Sequence, residues 1–178
     1  MKIGRVDSVR RTLRRQRRGA LPPEPATLAD VNITSRWTET AAQNPQPFLI
    51  YDNGAASAER VIVFSSPEQL RHLAMADRWF MDGNFAMSPS QFQQLYVIRA
   101  PLGASAVSCV YALLSGKTQT IYEILLKAVV DKCDAISYSV DPTTVICDFE
   151  QAVINAVTTV LGSPITVHGC FYHLTQST

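Results

Sequence analysis

None of the 178 residues falls in a stretch approaching the roughly 18 to 20 consecutive apolar residues that a membrane-spanning helix needs. The N-terminus also lacks the apolar core of a secretory signal, so no membrane partner is expected. The four cysteines, Cys109, Cys133, Cys147 and Cys170, contain no C-x-x-C pair and lie within or beside apolar runs. They read as buried thiols suited to a reducing compartment, not as a disulfide framework. There is no G-x-x-x-x-G-K-[ST] phosphate loop, no G-x-G-x-x-G dinucleotide turn and no G-x-S-x-G elbow. Nothing therefore points to a nucleoside-triphosphate enzyme or a serine hydrolase.

Positive charge is scarce over most of the chain. The net charge of +1 hides an asymmetry: residues 1–18 carry eight Lys and Arg against Asp7 alone, a net +7, and the remainder carries eight basic against fourteen acidic side chains, a net −6. A uniformly basic nucleic-acid surface is thus excluded from the body of the protein. Within the N-terminal segment, Arg10, Arg11, Arg14, Arg15 and Arg18 recur at helical spacing, with Val6, Val9 and Leu13 on another face. As a helix this segment would be a basic stripe able to follow a phosphate backbone, with Arg11, Arg14, Arg15 and Arg18 as nucleic-acid contacts, or it would be a nuclear import signal. A solvated basic tail and a mitochondrial targeting segment fit the same residues. Leu21-Pro22-Pro23-Glu24-Pro25 then breaks any helix and reads as a linker.

With 47% hydrophobic residues the chain can bury one ordinary core. We divide it into a basic arm and Pro-rich linker (1–25), a helix and hairpin region (26–76) and a core (77–178). Residues 27–40 suit a short amphipathic helix or irregular structure. Phe48–Tyr51 and Arg60–Phe64 are strand candidates joined through an Asp52-Asn53-Gly54 turn, and Pro67–Ala76 reads as a helix capped by Ser66. Further strands are expected at Gln94–Ala100 and Ala106–Leu114 around a Pro101-Leu102-Gly103 turn. Ile121, Ile124, Leu125, Ala128 and Val129 mark Thr118–Lys132 as helical. Phe149–Leu161 is a second helix, stopped by Gly162 and Pro164, and Ile165–His168 a last strand.

Two runs stand out against this background. Trp79-Phe-Met-Asp82 and Thr143-Thr-Val-Ile-Cys-Asp148 are each an apolar or β-branched run that ends in one carboxylate. A buried strand delivering a carboxylate to its exposed end is how a fold presents a metal ligand. The bland alternative is a turn former or helix N-cap, a role open to Asp148 in particular because a helix follows it. The element order of three strands, helix, strand, helix, strand indicates an α/β fold with a mixed sheet of the ribonuclease-H kind. In that architecture the first and fourth strands, which carry Asp82 and Asp148, lie side by side.

Asp82-Gly-Asn-Phe85, Phe92-Gln-Gln-Leu-Tyr96, Val110-Tyr-Ala-Leu-Leu114, Asp148-Phe-Glu-Gln-Ala152 and Gly169-Cys-Phe-Tyr-His-Leu174 together resemble the transposase domain of Mutator-like elements. The resemblance covers about residues 48–178 and rests on five blocks in the right order. The Arg-rich stretch and Pro22-Pro23-Glu24-Pro25 look like the segment that follows a FLYWCH-type zinc finger in many members, although no such finger precedes it here. The resemblance implies that Asp82 and Asp148 are the first two acids of a DDE triad on a ribonuclease-H-like fold. The triad holds two divalent ions, Mg²⁺ or Mn²⁺, for cleavage and transfer of DNA strands at the element's terminal repeats. Hard carboxylate oxygens suit such ions.

The third acid of the family lies well beyond the C-x-x-H block, and no residue up to Thr178 matches it. The catalytic core is therefore expected to be C-terminally incomplete and inactive on its own. Glu150, two positions past Asp148, reads as an acid favoured by a helix N-terminus and pointing elsewhere. Cys170 and His173, with His168 nearby, offer three ligands of the type zinc takes. A closed site needs four, so support of the active site by packing or hydrogen bonding outweighs zinc at Cys170 and His173. His72 reads as a surface side chain. The resulting expectation is part of a nuclear DNA-recombining transposase that acts on DNA and could self-associate. The alternatives are a non-catalytic DNA-binding or regulatory protein derived from such an element, and a decayed fragment.

Overall fold

The computed structural model describes residues 23–162 and 164–169. Arg11, Arg14, Arg15 and Arg18 of the basic arm lie outside the described residues, as do Cys170 and His173.

Seven strands form one mixed sheet: β1 (Leu49–Asp52), β2 (Val61–Phe64), β3 (Arg78–Asn84), β4 (Gln94–Leu102), β5 (Ser105–Leu114), β6 (Thr144–Cys147) and β7 (Thr166–Gly169). Their order across the sheet is β1-β2-β5-β4-β3-β6-β7. The first five strands pair antiparallel throughout, while β3–β6 and β6–β7 are parallel. The described residues also form three helices: α1 (Pro67–Ala74), α2 (Gln119–Ala135) and α3 (Gln151–Leu161). Residues 27–40, expected to be a short helix or irregular, contain a 3₁₀ turn at Ser35–Trp37 and, at Glu39, an isolated antiparallel bridge to Pro47.

Local sequence explains most boundaries. Ser66 caps α1 through a reciprocal box with Gln69, and Pro67 takes the first turn, where a missing N–H costs nothing. Thr118 caps α2 by accepting from the Ile121 N–H at 3.3 Å. The β4–β5 hairpin is tighter than expected: Pro101 and Leu102 belong to β4, Leu102 pairs with Ser105, and only Gly103 and Ala104 form the loop. Gly103 sits at φ 58°, a left-handed conformation that a two-residue hairpin loop reserves for glycine. The β1–β2 loop is held instead by Asn53, which donates to Glu59 O at 2.8 Å and accepts from Val61 N at 2.8 Å.

Strand alternation divides two cores. Val61, Val63, Trp79, Met81, Tyr96, Ile98, Val145 and Cys147 pack with Leu70 and Leu73 of α1, with Ile121, Leu125 and Val129 of α2, and with Val153 and Val157 of α3. Ile62, on the other side of β2, packs with Val31 and Phe92, where residues 28–33 cover the sheet. Arg60 pins that cover: it is almost wholly buried, pairs with Asp52 at 2.8 Å and donates to Leu28 O at 2.7 Å. Trp79 anchors β3 beneath α1, its indole N–H donating to Leu73 O at 3.1 Å. Full burial of a side chain this large is worth about 3 kcal/mol.

Candidate functional site

β3 is where the sheet changes character, with an antiparallel neighbour on one side and a parallel neighbour on the other. Along the parallel side Arg78 lies opposite Thr144, Trp79 opposite Val145 and Phe80 opposite Ile146. Asp82 and Asp148 each lie two residues beyond that last pair, so both occur at the same level near the carboxyl ends of neighbouring strands. Trp79 and Met81 enter the helix-side core, so alternation sets Asp82 with Phe80 on the opposite side, across from Val97 of β4. Asp148 follows β6 directly, between the buried Cys147 and the exposed Phe149. Both aspartates are half-buried. The aromatic ring of Phe149 lies against Gly169 in β7, where a Cβ would stand about 2.0 Å from it.

On the helix side of the sheet, near Asp148, lies a polar cluster that sequence reasoning missed. Gln94, at the start of β4, is buried and donates to Tyr122 Oη at 2.9 Å and to Gly116 O at 3.2 Å. Tyr122, on α2 and fully buried, donates in turn to Glu150 Oε2 at 2.9 Å. Glu150 is the N-cap residue of α3, as expected of an acid at a helix start, yet its side chain makes no cap hydrogen bond. Its carboxylate turns inward to α2. The Tyr96 ring packs on Tyr122 with centroids 5.2 Å apart, and its buried hydroxyl has no hydrogen-bond partner among the described residues. Burial, followed by the charge of Asp148, holds the Tyr96 hydroxyl well above the usual tyrosine range. Burial also raises Tyr122. The Gln94 N–H works against that rise, while the bond to Glu150 and the charges of Glu150 and Asp148 add to it. Both phenols therefore stay neutral near pH 7. The available signal was Gln94, a polar residue opening an otherwise apolar strand.

The other sequence candidates are not part of this cluster. His72 is half-buried, not a free surface side chain, because its Nε2 lies 2.9 Å from Pro101 O beneath the β4–β5 hairpin. His168 is exposed on β7 opposite Ile146. Among the described residues no three His, Cys, Asp or Glu side chains group to hold a metal ion. The donor chemistry of Asp82 and Asp148 nevertheless fits a divalent ion that prefers hard oxygen and keeps part of its water shell.

No helix among the described residues is long and apolar enough to cross a membrane. No curated protein matches the chain. A family model described as the MULE transposase domain matches residues 78–177, a span that opens at the first residue of β3 and takes in both aspartates and the whole Gln94–Tyr122–Glu150 cluster. The match covers more than half of the chain, which therefore belongs to the MULE transposase domain family.

Proposed function

We propose that the chain carries a ribonuclease-H-like, DDE-type catalytic fold, from a transposase-derived protein that cuts and joins DNA. The observation that carries this reading is the parallel pairing of β3 with β6, with Asp82 and Asp148 each two residues past the Phe80–Ile146 pair. Adjacent strands run about 4.8 Å apart, a spacing from which two carboxylates can share cations. The order β5-β4-β3-β6-β7, antiparallel to one side of β3 and parallel to the other, supports the fold assignment.

In this reading Asp82 and Asp148 hold Mg²⁺ or Mn²⁺ through carboxylate oxygens, and the strands fix the spacing of those oxygens. Bound there, the ions would supply activation of the attacking oxygen and stabilisation of the leaving one. Two carboxylates by themselves bind such ions weakly, in the roughly millimolar range. Strand transfer is accordingly not expected from these residues alone. The basic arm, with Arg11, Arg14, Arg15 and Arg18, would add affinity for DNA or direct the protein to the nucleus. Its net +7 against a net −6 elsewhere also favours a second reading, a DNA-binding protein in which the domain serves assembly.

Titration of the full chain with Mn²⁺, followed by the loss of the free-ion electron paramagnetic resonance signal, tests the first reading. Asp82→Asn and Asp148→Asn should each weaken binding at least tenfold with the fold retained. Binding unchanged in both variants refutes the site.

A further inference from the structure

An N-cap carboxylate ordinarily takes up one of its own helix's free N–H groups. Glu150 gives up that role and reaches across to α2, where its Oε2 accepts the Tyr122 hydroxyl at 2.9 Å. Tyr122 in turn accepts from Gln94 at 2.9 Å, and Gln94 is seated over Gly83, where a Cβ would come within about 2.3 Å of its Oε1. A continuous line of buried and part-buried contacts therefore starts beside Asp82, at Gly83, and ends at Glu150, two residues past Asp148. Hydrogen bonds made away from water and accepted by a carboxylate are the stronger kind. The other polar tie between the two helices, from Gln151 through Asn155 to Gln119, is exposed and starts beyond the turn.

We propose that Tyr122 is a positioning residue, which holds the turn from β6 into α3 through Glu150 and thereby fixes Asp148 relative to Asp82. The consequence for metal binding rests on the function proposed above, whereas the clamp itself does not.

Amide hydrogen exchange of the full, metal-free chain tests the clamp. Tyr122→Phe removes one hydroxyl and keeps the ring. Glu150→Ala breaks the same bond from its partly exposed end and spares the core. Both should speed exchange at Val153 and Ile154, whose N–H groups bond to Glu150 O, by about tenfold or more, with Leu125 and Val129 in the middle of α2 unchanged. Glu150→Gln retains an acceptor oxygen and should restore protection. Exchange at Val153 and Ile154 that stays at the wild-type rate in Tyr122→Phe and Glu150→Ala overturns the proposal, as does faster exchange that spreads evenly through α2. Mn²⁺ titration of the same variants separates the two readings. If Asp82→Asn lowers Mn²⁺ affinity but Tyr122→Phe does not, the metal site stands and the positioning role falls. If exchange responds as stated but neither aspartate affects Mn²⁺, the clamp stands and the metal site falls.

Discussion

Gly83 and Gln94 occupy space that only a glycine allows them to share, since a Cβ on Gly83 would stand about 2.3 Å from Gln94 Oε1 and 3.3 Å from the Tyr96 ring. Gln94 is held by Gly116 and Tyr122 and cannot swing aside without leaving buried polar atoms unpaired. Gly83→Ala should therefore destabilise the protein by about 1 to 3 kcal/mol. Urea unfolding would show a lower midpoint at unchanged slope. The penalty should shrink in a Gln94→Ala background, because the clashing amide is then gone; additive effects would place the strain elsewhere.

Asp52 and Arg60 give the clearest pH signature. Burial alone would raise the Asp52 carboxyl above its ordinary 3.8, but the Arg60 hydrogen bond, the Gly54 N–H and the Arg60 charge outweigh it and hold the group below that value. A depressed folded value means that the pair contributes fully above pH 3.8, and that the contribution is lost as pH falls through the lower folded value. Asp52→Asn leaves a buried guanidinium without its counter-charge and should cost about 3 kcal/mol at neutral pH. The gap to wild type should narrow as the pH falls below 3.8, as followed by urea unfolding across the acid range.

Thiol reactivity should report global opening. Burial pushes both Cys109 and Cys133 up to about 11. Near pH 8 each is then about one part in a thousand thiolate, as well as inaccessible. Labelling of these two sites by a disulfide reagent should keep pace with unfolding in denaturant. Rapid labelling of the native protein at Cys109 or Cys133 would contradict the packing of β5 and α2 against α1.

The basic arm makes a prediction of a different kind. Replacing Arg11, Arg14, Arg15 and Arg18 with alanine removes four cations, so the slope of log affinity for duplex DNA against log salt should flatten by roughly 3 to 4. Fluorescence anisotropy at several salt concentrations measures it directly. An unchanged slope would remove these arginines from the DNA interface.

The sheet could be read from the sequence because its strands carry their own signals: β-branched runs in β2 and β6, and a glycine at the β4–β5 turn. The adjacency of β3 and β6 followed from element order, since helix α2 leaves few places for a returning strand. The functions of Gln94, Tyr122 and Glu150 could not be read in the same way. A tyrosine at a core position of an amphipathic helix looks like any large apolar residue, and an acid at a helix start already has a local explanation. Their roles arise from 28 positions of separation between each successive pair, a distance at which periodicity carries no information. Helix ends moved for physical reasons too: α3 begins at Gln151 and not at Phe149, since Phe149 is drawn onto Gly169 and Glu150 toward Tyr122.

Phe80 and Ile146 meet across 66 positions of chain, whereas β4 and β5 close over a two-residue loop. Loop entropy favours the hairpin early and the β3–β6 seam late. On a translating ribosome the antiparallel half can be complete while Asp148 is still inside the exit tunnel, and Asp82 then stands without its counterpart. The pairing of β3 with β6 is completed only after synthesis has passed α3, so polysomes carrying unfinished copies would hold Asp82 and Asp148 apart.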